Sequence, residues 1–138
     1  MHMTKTSLRA ITYNVIGAAI EIHKALGPGL LESVYHECMK HELMLRNINF
    51  ITEVSMPVRY KEIEVAAYLR SDLLIEGCLV VEVKASKTIE PIFEAQVLTY
   101  MKLLEAPQGL IINFNCVNIF NDGQKTFVND FYRNLDDE

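Results

Sequence analysis

The chain has 138 residues, half of them hydrophobic, with only 6 Gly and 4 Pro, enough to bury one core without a disulfide or metal staple. Its formal net charge of −5 counts against a surface that takes up nucleic acid indiscriminately. Much of that charge is terminal: Asp130, Asp136, Asp137 and Glu138 against Arg133 give −3, leaving −2 for residues 1–129.

In residues 7–26 the apolar positions Leu8, Ile11, Val15, Ala19, Ile22 and Leu26 recur every three or four residues, which predicts a helix with one buried stripe. Gly27-Pro28-Gly29 stops it, since proline has no amide to donate and glycine permits the reversal. A second helix is expected from Leu30 to about Asn47, with Leu30, Leu31, Val34, Cys38 and Leu45 inward. With Gly29 as its cap, Glu32 is the third helical residue, where a glutamate ordinarily complements the helix dipole.

The period then drops to two. Phe50, Thr52, Val54, Met56, Val58 and Tyr60 alternate with their neighbours, predicting an antiparallel strand, with Pro57 marking an edge or a bulge. Residues 63–75 read as its partner across Lys61-Glu62, and Glu76-Gly77 turns the chain into a central strand over residues 79–85. A third helix follows, with Pro91 in its first turn and Phe93, Val97, Tyr100, Met101 and Leu104 as its stripe. Residues 109–115 form a strand expected to lie parallel to 79–85. Residues 117–120 and 124–128, around Asn121-Asp122-Gly123, predict a hairpin, and the tail of residues 130–138 is expected to fray. The fold class is therefore mixed α/β (α+β), one domain over residues 1–138 with a central mixed sheet flanked by three helices.

The central strand holds the chemistry. Val80-Val81-Glu82-Val83-Lys84-Ala85 is aliphatic, yet Glu82 and Lys84 project from one face. Burying either charge is unfavourable by roughly several kcal/mol without a partner, so the pair is either lifted into solvent at a strand end or put to use. Asp72 lies ten residues earlier, across the Gly77 turn. Strands ~4.8 Å apart bring the two carboxylates within reach of one cation.

Asp72 followed ten positions later by Glu82-x-Lys84 resembles the PD-(D/E)XK nuclease pattern, with Ser71 where the motif name has Pro. Gly29-x-x-Glu32-x-x-Tyr35 and Gln96-x-x-x-Tyr100 extend the match, and residues 17–128 resemble the small GxxExxY family of that superfamily, with its restriction-endonuclease-like core. The resemblance implies a Mg²⁺- or Mn²⁺-dependent nuclease acting on DNA. Asp72 and Glu82 would hold the metal, helped by the Val83 carbonyl and by Glu32, directly or through water. Lys84 would stabilise charge on the phosphoryl oxygens or orient the water, Gln96 would position water or phosphate, and Tyr35 and Tyr100 would support from behind. Cutting both strands commonly needs two sites, so a homodimer is expected. The rival reading is a catalytically inactive module of the same fold that binds nucleic acid or a protein.

Other constellations are poorer. Cys38, Cys78 and Cys116 lack CxxC or Cys/His spacing and are odd in number, which argues against a disulfide framework and for a reducing cytoplasm. No apolar run approaches the ~20 residues of a membrane span, and the N-terminus has no signal-peptide core, so the expectation is a soluble, unexported protein. His23, His36 and His41 do not recur at the i, i+4 spacing of a zinc helix.

Overall fold

The computed structural model describes residues 2–138, apart from the side chains of residues 56 and 66–69. Its sheet has five strands in the order β1-β2-β3-β4-β5: Phe50–Tyr60, Ile63–Ile75, Leu79–Lys84, Gln108–Asn113 and Gln124–Val128. β3 and β4 are parallel and the other neighbours antiparallel, so the strand carrying Glu82 and Lys84 is central, as its aliphatic run requires. Pro57 marks a register shift against β2 on the outermost strand. The long β1–β2 hairpin runs on past the sheet, because β3 pairs only with Leu73, Leu74 and Ile75.

Two layers of helix cover the sheet. On one face Leu79, Val81, Val83, Leu110 and Ile112 pack against α1 (Lys5–Leu26) and α2 (Glu32–Leu45). On the other, Leu74, Val80 and Ile111 meet Val97, Tyr100 and Met101 of α3 (Pro91–Leu104). Alternate residues of one strand thus serve two cores.

α1 begins earlier than the periodicity predicts because Thr4 and Ser7 form a capping box, supplying acceptors to amides that would otherwise lack them. It ends at Gly27, whose φ of 70° suits a residue without a Cβ. α2 corrects the sequence reading twice. It starts at Glu32 behind the cap residue Leu31, so Glu32 is the first helical residue and not the third. Its buried stripe is Tyr35, Met39 and Leu43, whereas Leu30, Leu31, Val34 and Leu45 are exposed and Cys38 is half-buried. Tyr35 fixes that phase: its ring stacks on Phe114 with centroids 4.4 Å apart. Its hydroxyl donates to the Gly27 carbonyl (2.6 Å) and accepts from the Leu30 amide (3.2 Å).

The expected hairpin at residues 117–128 is also corrected. Asn118 caps a single helical turn, α4 (Ile119–Asp122), by accepting from the Asn121 amide at 2.9 Å, and β5 pairs with β4 instead. The tail expected to fray carries α5 (Asp130–Arg133). Its Asp136 and Asp137 carbonyls accept from the Lys5 and Thr6 amides at 2.8 and 3.1 Å, satisfying free donors at the start of α1.

Gly109 lets α3 lie close on β4, since a Cβ there would stand 2.5 Å from Val97 Cγ1 and 2.6 Å from Met101 Sδ. Gly109→Ala is expected to destabilise the protein by about 1–3 kcal/mol through overpacking, read as a lower urea midpoint at unchanged m-value.

Candidate metal and phosphodiester site

β2 and β3 part company after the pair Leu73–Val81. The next residue on each strand is an acid, Asp72 and Glu82, and each carboxylate takes up an amide of the opposite strand. Asp72 Oδ2 accepts from the Val83 N–H at 3.0 Å, and Glu82 Oε2 accepts from the Asp72 N–H at 2.9 Å and from the Ser71 hydroxyl at 3.2 Å. Two side chains thereby replace backbone ladder bonds, meeting the requirement that buried donors be paired.

Glu82 is 4% exposed, and its carboxyl is pushed up to about 7, first by burial and then by the charge of Asp72. The Asp72 amide, the Lys84 ammonium and the Ser71 hydroxyl pull the other way. Lys84, two residues on, shares the α3-facing side of β3, and its Nζ stands 4.4 Å from the centroid of the Phe93 ring, a cation–π contact. Tyr100 is buried between the α3 core and this pair: burial first, then Glu82 and Asp72, raise its phenol above the usual range, opposed by the Arg70 amide. Gln96, one turn before Tyr100, lines a groove of about 190 Å³ with Ile92, Ala95 and Thr99.

Of the expected site residues, Asp72, Glu82, Lys84 and Tyr100 therefore come together, with Gln96 at the rim. Val83, expected to contribute its carbonyl, meets the pair through its amide instead, which Asp72 engages. Glu32 does not join them: it is exposed at the start of α2, in the layer across the sheet from Lys84, and no group of three His, Cys, Asp or Glu side chains converges among the described residues. Tyr35 serves α2 and the Gly27 loop. The sequence reading missed Ser71, Phe93 and Asn113. Asn113 is 3% exposed and clamps the loop after Lys84, accepting from the Ser86 amide at 3.0 Å and donating to the Ser86 carbonyl at 2.9 Å. Phe93 had a detectable signal, lying seven residues before Tyr100 on one helix face, whereas Ser71 and Asn113 depend on partners remote in sequence.

The donor chemistry fits a hard divalent cation. Two carboxylates repel one another across the strand gap, and among the described residues Asp72 Oδ1 and Glu82 Oε1 accept no hydrogen bond.

The family model described as the PD-(D/E)XK nuclease superfamily matches residues 9–126. The crystal structure of SSO0001 resembles this one with a TM-score of 0.51 at 17% identity, covering 73% of this chain and 54% of that one. The chain thus spans about half the length of that protein, and the likeness shows the fold alone. No curated protein matches the chain.

The raised Glu82 carboxyl sets a pH dependence. The folded group binds its proton more tightly than the unfolded one, so its contribution is complete below the ordinary value of 4.5 and is lost as pH rises to about 7, by linkage. In metal-free protein Glu82→Gln is expected to raise the melting temperature at pH 8 and to flatten the decline between these values. Parallel thermal scans of the two proteins across that range check it.

Proposed function

The chain belongs to the PD-(D/E)XK nuclease superfamily, and on that premise we propose that it is a metal-dependent nuclease hydrolysing phosphodiester bonds in DNA at the Asp72–Glu82–Lys84 site. The observation that carries the reading is the crossed pair of carboxylates, each anchored on the other strand's amide, with Lys84 on the same side of β3.

Asp72 and Glu82 would hold Mg²⁺ or Mn²⁺, the choice of ion following from hard oxygen donors. A bound cation would offset phosphodiester charge and supply a water acidified enough to react near neutral pH. Lys84, steadied over the Phe93 ring, stabilises the charge that builds on the phosphoryl oxygens. Gln96 orients the phosphate or the water from the rim, and Tyr100 holds the buried side of the pair. The protein acts in the cytoplasm, and as a homodimer where both strands are cut.

Plasmid and single-stranded DNA incubated with Mg²⁺ or Mn²⁺ are expected to be cleaved. Lys84→Ala is expected to lower kcat by about 10²–10³, the size of losing one preorganised charge-stabilising group; cleavage at an undiminished rate in that variant overturns the assignment. One observation favours a second reading: Glu32 stands apart from the pair, as in a module that keeps the fold and binds nucleic acid or a protein without turnover. The two readings divide on whether DNA that the protein binds is also cleaved when Mn²⁺ is added, because only the nuclease couples the metal to turnover.

A further inference from the structure

We propose that the cleft between the first half of α1, the start of β4 and α5 binds one nucleotide unit, a phosphate joined to a planar base, either free or at the end of a strand. The cleft holds about 230 Å³, below the ~300–1,000 Å³ of pockets that enclose a drug-sized ligand, so it admits a single ring with its phosphate on the rim.

Its walls offer three kinds of contact. Tyr13 and Tyr132 flank it together with Ile16, and Tyr13 is 79% exposed, an aromatic face available for stacking on a base. Lys5 and Arg9 supply the cations. Lys5 is shared with Asp137, 3.3 Å away and itself exposed, an ion pair of the kind that contributes little. Arg9 makes no ion pair among the described residues, and its planar fork suits a phosphate.

The third contact is a polar edge at the floor. Gln108 is 8% exposed, and its Oε1 accepts from the Thr12 hydroxyl at 3.2 Å. Its Nε2 has no partner among the described residues, and it is not among their fully enclosed unpaired atoms, where only His36 Nε2 stands. The surface it retains therefore opens into the cleft that Gln108 lines. That amide edge is therefore free to donate to an acceptor on a base edge in place of water.

The cleft is separate from the Asp72–Glu82–Lys84 site. Gln108 pairs with Leu79, at the opposite end of β3 from Lys84, roughly 16 Å away at strand rise, and its side chain meets α1 whereas Lys84 faces α3. The inference therefore stands independently of nuclease activity.

Titration calorimetry of the full chain in EDTA tests it, with AMP, adenosine, inorganic phosphate and an oligonucleotide with and without a 5′-phosphate. AMP is expected to bind about tenfold or more tighter than adenosine or phosphate. Arg9→Ala and Tyr13→Ala, both at exposed positions, are each expected to weaken it about tenfold, the loss of one charge-assisted or stacking contact, without lowering the melting temperature. Binding is expected to persist in Glu82→Gln. A 5′-phosphorylated strand that competes with AMP identifies a strand end as the source, and one that does not identifies the free nucleotide. Failure to bind AMP, equal binding of phosphate alone, indifference to both substitutions, or loss in Glu82→Gln overturns the proposal.

Discussion

The divergence of β2 from β3 is the constraint on which the rest of the molecule turns. Once the ladder ends at Leu73 and Val81, the amides of Asp72 and Val83 need acceptors inside a nearly dry layer, and the two carboxylates are the groups that reach them. The same bonds that close the backbone account fix the acids in place, so their positions are set by the sheet and not by flexible rotamers. The arrangement is unfavourable in isolation: a glutamate held up at about 7 by burial and by a neighbouring aspartate costs stability when ionised. Stability forgone at such a point is commonly a mark of function.

The sheet keeps two environments apart. Odd-numbered positions of β3 enter the aliphatic core under α1 and α2, and even-numbered positions go from Val80 in the α3 core to Glu82 and Lys84. Gly109 brings α3 down onto β4, and Asn113 ties the loop that leaves β3 to the end of β4. Lys84 is thus set between a ring on the helix and a strand end that the neighbouring strand holds in place.

How much of this was legible in the sequence follows from how local each cause is. The strand order through β1, β2 and β3 could be read because short turns at Lys61-Glu62 and Glu76-Gly77 leave little freedom, and the parallel pairing followed from the helix between β3 and β4. Asp72 and Glu82 were legible as a pair because a tight hairpin converts their spacing into opposition across two strands. The phase of α2 was not, because Leu30, Leu31 and Val34 look like a buried stripe until Tyr35 finds Phe114, some eighty residues away. Asn121-Asp122-Gly123 suggests a hairpin because its composition is that of a turn, while the cap from Asn118 that makes it helical is a single hydrogen bond. The tail looks loose in the sequence because a run of acids gives no hint that its carbonyls find the first amides of α1.

The crossed carboxylates have unequal reach, and this carries a consequence for what the two positions tolerate. The shorter acid, on β2, spans directly to Val83, whereas the longer one, on β3, extends past the gap to touch both the Asp72 amide and the Ser71 hydroxyl. Trading their lengths keeps the formal charge and spoils the fit, leaving one amide short of its acceptor by a methylene and crowding the other. In this chain the spacing of two diverging strands thus sets an order of size, the short acid on β2 and the long acid on β3.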